Sequence, residues 1–294
     1  VFDQVRGTTK YVRPNESNGE GTASGVTSFD SDGFTLGSSD GMNENGRTFV
    51  AWNWRASGSQ GSSNTDGSIN TTYTSVNTTA GFSISQYTGA GSTSTVGHGL
   101  GVAPKVIMIK GLSNSGAWQF YHEDLGNNKK LLLNTDSAEI SSGYMNNTSP
   151  TSSVFTVVND SDVGTSGYTY IAYCFAEKKG FSKFGSYVGN GNADGAFVYT
   201  GFKPAFVMIK YAFSGGTGNW TIYDPLRDGY NDKNDYLYAN ESNAESGITH
   251  KIDLLSNGFK CRANSSDTNT NNGTMVYMAF AEHPLVASNG TPAT

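Results

Sequence analysis

Short apolar runs separated by polar turn residues are the main pattern along this chain. Residues 106–109 and 207–209 are continuous apolar runs, and a lysine follows each of them. Runs of this length are typical of strands that are buried on both faces. In residues 118–121, Trp-Gln-Phe-Tyr, successive side chains would alternate between the two faces of a strand. No long stretch places apolar residues at helical spacing, so we expect an all-β fold.

The chain also repeats itself. Tyr-x-Gly-x-Gly motifs begin at Tyr87 and Tyr187, 100 residues apart, and the two apolar runs follow at the same offset. The segment that begins at Trp118 matches one at Trp220, and an apolar strand followed by Ala-Glu closes each copy. Self-similarity at a fixed period predicts duplicated structural units.

Glycine turns support a fold of many short strands. Gly33 and Gly258 each stand between a polar residue and a phenylalanine, which is the chemistry of a tight turn that starts a strand. Each repeating unit is therefore expected to end in a hairpin-like pair. Units of about 100 residues with many short strands fit two packed sheets. We expect tandem β-sandwich modules of a jelly-roll or lectin-like type.

The start of the chain matches only the later part of a repeat, because residues 2–6 parallel residues 223–227 and residues 11–17 parallel residues 236–242. An incomplete unit would leave an unpaired strand edge, so we expect upstream chain or a neighbouring subunit to complete it. The sequence thus predicts the C-terminal part of an incomplete repeat (1–55), a linker or surface crossing rich in Ser, Gly, Thr and Asn (56–80), two β-sandwich repeats (81–179 and 180–284) and a C-terminal tail (285–294).

Charge and composition exclude several classes of function. The net charge is −6, and the 19 basic residues are scattered rather than gathered into a stripe, so nucleic acid is not an expected partner. No apolar run approaches the ~20 residues that span a bilayer, so membrane insertion is not expected. Cys174 and Cys261 lie in different repeats, which predicts free, buried thiols rather than a disulfide framework.

Residues that could carry catalysis are few. The four histidines form no helical zinc pair, and the chain has no nucleophile elbow, P-loop or dinucleotide motif. Glycan depolymerases need two nearby carboxylates. Candidate carboxylates occur in polar stretches typical of solvated loops: Glu123 with Asp124, Asp160 with Asp162, and Asp232 with Asp235. We expect no enzyme and no cofactor, with a glycan depolymerase as an alternative.

A calcium site is a weaker candidate. Calcium prefers six to eight oxygen ligands from flexible segments. Four aspartates gather in one polar loop: Asp224, Asp228, Asp232 and Asp235. Their spacing does not match an EF-hand, and Arg227 and Lys233 reduce the negative charge. A solvated turn is favoured, so no metal is expected.

Loops that differ between the two repeats are the candidate binding elements, because a rigid sheet scaffold presents its function on loops. Residues 111–117 and 211–219 differ most between the copies. The binding candidates in the second loop are Ser214, Gly215, Gly216, Thr217 and Gly218. The neighbouring Trp118 and Trp220 are expected in the core rather than as a sugar-stacking platform.

With these motifs in view, residues 81–284 resemble the repeated domain of unknown function in tail-fibre and other structural proteins of marine bacteriophages, cyanophages and pelagiphages especially. The hallmarks are Gly-Phe-Ser, Tyr-x-Gly-x-Gly, Gly-x-x-Pro turns, Ala-Phe-Val-Met-Ile-Lys at 205–210, and Ala-Glu after each closing strand. Residues 1–55 resemble the segment that usually precedes this domain. The family supplies no catalytic residues.

This resemblance implies a virion structural protein on the particle surface, the C-terminal part of a tail fibre or similar appendage that contributes to host attachment. The implied partners are other virion proteins, further copies in a homo-oligomer such as a trimer, and a host surface glycan or protein. A decoration or collar protein without receptor binding is the alternative structural role.

Overall fold

The computed structural model describes residues 1–213, 215–228, 235–247 and 251–281. The chain is nearly all β, with 38% strand and 3% helix, and its sheets are antiparallel. The all-β prediction is therefore confirmed. The described helical segments are single turns: α1 (Asp40–Asn43), a 3₁₀ turn (Glu123–Leu125) and α2 (Pro225–Asp228). Within the same residues, no helix is long and apolar enough to cross a membrane.

The strands are short and follow each other closely along the chain. In chain order they are β1 (Lys10–Tyr11), β2 (Gly21–Thr22), β3 (Val26–Phe29), β4 (Phe34–Leu36), β5 (Tyr73–Asn77), β6 (Phe82–Thr88), β7 (Ser94–Gly97), β8 (Val106–Gly111), β9 (Gln119–His122), β10 (Lys129–Leu132), β11 (Ile140–Ser141), β12 (Val154–Val157), β13 (Thr169–Phe175), β14 (Ser182–Val188), β15 (Phe197–Tyr199), β16 (Pro204–Tyr211), β17 (Thr221–Tyr223), β18 (Leu237–Tyr238), β19 (Ile252–Leu255), β20 (Gly258–Cys261) and β21 (Thr274–Ala281).

The chain divides into two compact units. The first contains Val1–Gln119 and Gly143–Ala176, and the second contains Phe120–Ser142 and Glu177–Thr294. Residues 1–55 belong to the same unit as the strands of the first repeat, and residues 120–142 of that repeat belong to the second unit.

In the first unit, β13 is flanked by β8 on one side and by β6 and then β5 on the other. Ala172 of β13 faces Ser85 of β6 and Ile109 of β8. The core side chains of these strands are almost fully buried, Tyr87 and Tyr170 among them. Separate two-stranded pairs are formed by β1 and β2, β3 and β4, and β7 and β12.

The second unit contains a five-stranded sheet in the order β14-β21-β16-β17-β18, a three-stranded sheet in the order β15-β20-β19, and the strands β9, β10 and β11. Tyr277 of β21 faces Ile209 of β16 and Gly185 of β14. Ile209 and Gly185 stand 100 residues after Ile109 and Ser85. The runs predicted as buried strands thus lie beside the last long strand in both units, in the same register.

Residues 56–80 contain a strand, although their composition is that of a linker. Tyr73–Asn77 forms the edge strand β5 beside β6. The buried hydroxyl groups of this segment form hydrogen bonds with one another. Thr74 Oγ1 lies 2.9 Å from Thr71 Oγ1 and 3.1 Å from Ser85 Oγ. Buried polar groups are tolerated where they find such partners. This segment therefore carries sheet structure that its apolar pattern does not reveal.

The Tyr-x-Gly-x-Gly motif has the same role in both units. The Tyr87 hydroxyl donates to Val163 O at 2.7 Å, and the Tyr187 hydroxyl donates to Thr268 O at 2.6 Å. A Cβ on the first glycine would stand 2.3 Å from a carbonyl oxygen, at Gly89 as at Gly189. Such an approach is closer than van der Waals contact allows, so the backbone requires glycine at both positions.

Both cysteines are free and buried, as predicted. Burial raises the pKa of the Cys261 thiol to about 11 and moves that of Cys174 in the same direction. The thiolate is the reactive form of cysteine, so both thiols are unreactive at neutral pH.

Candidate functional site: three hairpins and two hairpin-binding sites

Three hairpins of equal length recur along the chain. Tyr11 pairs with Gly21, Lys130 with Ile140, and Tyr236 with Ser246, and nine residues lie between the partners in each case. We call residues 10–22 hairpin 1, residues 129–141 hairpin 2 and residues 236–246 hairpin 3.

The hairpins also share residue types at matched positions. Hairpins 1 and 3 carry the same four residues there, whereas hairpin 2 keeps two of them. The matched positions are Tyr11, Lys130 and Tyr236; Asn15, Asn134 and Asn240; Ser17, Asp136 and Ser242; and Glu20, Glu139 and Glu245.

Hairpin 1 is held within the first unit by a lysine and a tryptophan. The Trp118 indole N–H donates to Arg13 O at 2.8 Å. Lys110 Nζ donates to Ser17 O at 2.8 Å and to Gly116 O at 2.6 Å. Lys110 is fully buried, so backbone carbonyls replace the water that would otherwise solvate its ammonium group.

Two backbone hydrogen bonds complete this site. Gly116 N donates to Ser17 O at 2.8 Å, and Glu20 N donates to Leu112 O at 2.8 Å. We call Lys110, Leu112, Gly116 and Trp118 the first hairpin-binding site. All four contacts to hairpin 1 reach backbone atoms, so they recognise the hairpin's conformation more than its side chains.

The second unit holds hairpin 2 in the same way. The Trp220 indole donates to Leu132 O at 2.9 Å, and Lys210 Nζ donates to Asp136 O at 2.7 Å and to Gly218 O at 2.5 Å. The Phe120 ring packs on the Trp220 ring with centroids 4.5 Å apart.

The backbone contacts recur as well. Gly218 N donates to Asp136 O at 3.0 Å, and Glu139 N donates to Ala212 O at 3.1 Å. Lys210, Ala212, Gly218 and Trp220 therefore form a second hairpin-binding site. Each of the two sites holds a hairpin that lies earlier in the sequence.

The buried lysines are electrostatically unusual. Burial lowers the pKa of Lys110 and of Lys210 to about 8. Negative charge opposes the shift, from Asp162 near Lys110 and from Asp136 and Asp267 near Lys210. Removing a charged group from water costs free energy, and the lowered pKa measures the part that hydrogen bonds do not recover.

An open polar cleft of about 420 Å³ lies beside hairpin 1 in the first unit. Arg13 pairs with Glu16 at 2.8 Å, and its guanidinium lies 5.3 Å from the centroid of the Tyr11 ring. The cleft is lined on one side by Tyr11, Arg13, Glu16, Asn18, Gly19, Glu20 and Gly21, and on the other by Leu112, Ser113, Asn114 and Ser115. The loop 111–117, predicted to be a binding element, thus forms one wall.

The ion pair in the cleft shifts the ionisation of both partners. The hydrogen bond to Glu16 raises the pKa of Arg13, and the hydrogen bond from Arg13 lowers the pKa of Glu16. The Arg13 side chain remains 55% exposed, so it can still donate to a ligand. The guanidinium and amide groups donate hydrogen bonds, and the carboxylate and amide oxygens accept them, so the cleft presents both kinds of group.

The loop candidates of the second repeat serve hairpin 2 where they are described. Thr217 pairs with Ser137, and Gly218 bonds Asp136 and Lys210 as above. Gly216 N donates to Phe213 O at 3.4 Å, and Gly215 adopts a φ of +89°. Ser214 lies outside the described residues. The role of residues 214–218 in binding an external ligand stays a prediction.

The four aspartates considered as calcium ligands differ in their surroundings. Asp224 is buried, pairs with Arg227 at 2.7 Å and accepts from Leu226 N and Arg227 N. Asp235 is half-buried, whereas Asp232 and the Asp228 side chain lie outside the description. Among the residues that the structure describes, no group of three or more His, Cys, Asp or Glu side chains could hold a metal ion.

The candidate carboxylates Asp160 and Asp162 have structural partners. Asp162 accepts from Ala117 N at 3.1 Å and from the Gln119 amide at 2.7 Å. Asp160 accepts from Asp162 N at 2.8 Å. Both carboxylates thus order the loop that leads to the first hairpin-binding site.

A family model described as Domain of unknown function (DUF7483) matches residues 1–284. The chain belongs to this family. The single DUF7483 match spans both sequence repeats and all three hairpins. Comparison with curated proteins and with solved structures gives no match for the chain.

Proposed function

We propose that this DUF7483 chain is a structural protein of a bacteriophage particle, the C-terminal part of a tail fibre or similar appendage, which contributes to host-surface attachment. Its place is the particle surface, its partners are other virion proteins and further copies of itself, and it uses no cofactor. In this proposal its repeats are tandem β-sandwich modules of a jelly-roll or lectin-like type.

The observation that carries the proposal is the recurrence of one hairpin contact. The Lys–Trp pair of each hairpin-binding site holds a hairpin from an earlier part of the sequence. A protein built from such links gains stability from nearest-neighbour contacts, as repeat proteins do. Low charge and a surface rich in Ser, Thr and Asn suit an extended appendage in contact with water.

The attachment role rests on the polar cleft beside hairpin 1. We propose that it binds a hydroxyl-rich ligand of the host surface, a glycan. Arg13 and Glu16 supply charged hydrogen-bonding groups, and the Tyr11 ring beside the Arg13 guanidinium lines the same cleft. Loops on a rigid sheet scaffold are the usual positions for such recognition.

The experiment is adsorption of the purified chain to host cells, with Arg13→Ala as the test variant. The Arg13 backbone carbonyl that binds Trp118 is kept in this variant. A charged hydrogen bond contributes about 1.5–3 kcal/mol, so adsorption should weaken roughly tenfold or more. Arg47→Ala is the matched control, because Arg47 forms the same exposed i,i+3 ion pair, with Glu44 at 2.6 Å.

The outcomes separate the alternative functions. Equal adsorption of Arg13→Ala and Arg47→Ala would remove the cleft from the proposal. Absence of adsorption by the unaltered chain would favour a decoration or collar protein. Release of reducing sugar from host polysaccharide would favour a glycan depolymerase instead.

A further inference from the structure

Hairpin 3 presents the same backbone groups as the two bound hairpins. Tyr236 N donates to Ser246 O at 2.9 Å, and Ser246 N donates to Tyr236 O at 3.2 Å, so the hairpin is formed. Glu241 N bonds Tyr238 O at 3.4 Å, a turn contact that Glu16 N makes with Arg13 O in hairpin 1 at the same distance.

The residues before hairpin 3 also match those before hairpin 1. Arg227 Nε bonds Asp224 at 2.7 Å and a further nitrogen of Arg227 bonds Ile222 O at 3.1 Å. Before hairpin 1 the corresponding bonds join Arg6 to Asp3 at 2.6 Å and to Val1 O at 3.0 Å. The two segments therefore have the same internal support.

Hairpin 3 differs from the others in what covers it. Both Lys–Trp pairs of the chain are occupied, by hairpins 1 and 2. Among the described residues, none donates a hydrogen bond to Ser242 O, which corresponds to Ser17 O and Asp136 O. The matched glutamate shows the difference in exposure: its side chain is 19% exposed at Glu20, 12% at Glu139 and 41% at Glu245.

We propose that hairpin 3 binds the first hairpin-binding site of a second copy of this chain, in place of that copy's own hairpin 1. Trp118 of the second copy donates to Tyr238 O, and Lys110 and Gly116 donate to Ser242 O. Glu245 N donates to Leu112 O. The first site is the better match because hairpins 1 and 3 also share the Arg–Asp pair that supports the chain before each of them, and this site recognises the backbone conformation of its hairpin.

The exchange joins two copies head to tail. Because one surface of each copy meets a different surface of the next, the contact closes a ring or extends a filament. Each copy replaces the hydrogen bonds that it gives up by releasing its own hairpin 1 with the corresponding bonds to hairpin 3 of the next copy. Assembly should therefore depend on protein concentration.

The test is disulfide trapping with two cysteine variants of the full chain. Ser115→Cys and Ser242→Cys place thiols on either side of the proposed contact between Gly116 N and Ser242 O. Cys174 and Cys261 are buried, so they do not compete for oxidation. After mild oxidation, a mixture of the two single variants should give a covalent dimer on a non-reducing gel.

The double variant Ser115→Cys with Ser242→Cys should give a ladder of higher oligomers. The matched control is Ser115→Cys with Ser152→Cys, because Ser152 is exposed outside the hairpins. Equal cross-linking of the control and the test variant would overturn the proposal. A product of monomer mass, or dimers of Ser242→Cys alone, would overturn it as well, because neither contact is head to tail between copies.

Discussion

The indole N–H of Trp220 donates to the backbone carbonyl of Leu132, 88 residues earlier in the chain, at 2.9 Å. Trp118 makes the same bond to Arg13 at 2.8 Å. In each tryptophan the N–H group of the indole ring thus donates to a hairpin that is distant in sequence. The Trp220 bond, together with the bond from Lys210 to Asp136 O, joins hairpin 2 to the strands of the second unit.

Replacing Lys210 by methionine should destabilise the second unit. The methionine fills similar space but leaves Asp136 O without the ammonium donor and Gly218 O without any side-chain donor. Loss of a buried partner costs about 1–3 kcal/mol in the free energy of unfolding. Urea denaturation measures the change, and Lys179→Met is the control because Lys179 is exposed. Equal midpoints for the two variants would contradict the role given to Lys210.

The buried lysines also predict a dependence of stability on pH. Their pKa is about 8 in the folded chain, below the ordinary value of 10.5. Above pH 8 the unfolded chain binds more protons at these positions, so their contribution to folding stability rises with pH between about 8 and 10.5. The slope is at most about 1.4 kcal/mol per pH unit for each lysine.

This pH effect is isolated by comparison with Lys210→Met. Between pH 8 and 9 the unfolding free energy of the unaltered chain should rise relative to that of the variant. The buried thiols and tyrosines titrate in both proteins and cancel in the difference. A constant difference from pH 7 to pH 9 would show that Lys210 does not have a lowered pKa.

The Tyr-x-Gly-x-Gly motif predicts a steric effect. Gly89→Ala and Gly189→Ala should each destabilise the chain by about 1–3 kcal/mol, because the new methyl group meets a carbonyl oxygen at 2.3 Å. Gly143→Ala is the matched control, since a Cβ at Gly143 meets no atom within 4 Å. Thermal unfolding of the three variants checks this, and a Gly89→Ala midpoint equal to the control would refute it.

Trp220→Phe should loosen hairpin 2 while leaving the main sheet intact. The phenylalanine keeps an aromatic ring against Phe120 but removes the only hydrogen-bond donor of the side chain. Hydrogen exchange of the Glu139 amide, which bonds Ala212 O, should become faster. The Val207 amide in β16 serves as the internal control. Equal protection of Glu139 in both proteins would mean that the indole does not hold the hairpin.

The all-β class and the buried strands could be predicted from the sequence because they depend on the local apolar pattern. The apolar runs at residues 106–109 and 207–209 predict strands directly, and the glycine motifs predict the turns. Hairpin contacts could not be read, because the acceptors on Ser17 and Asp136 are backbone carbonyls without a side-chain signature. The lysine that ends both apolar runs was the available signal.

Two further features could not be predicted from the sequence, for similar reasons. The strand β5 buries Thr74 and Ser75, whose hydroxyls find partners only in the folded chain, so their polarity indicated a linker. The cleft beside hairpin 1 joins Arg13 to Asn114, which are far apart in sequence. The loop 111–117 was predicted as a binding element, but its opposite wall depends on a non-local contact.

The most direct test of the proposed function is to locate the chain on phage particles whose genome encodes it. Antibodies raised against the purified chain are applied to purified particles, and the label is found by electron microscopy. The account predicts label on a tail fibre or another surface appendage. Intact particles that carry no label, while the lysate of the same infected cells contains the chain, would contradict it.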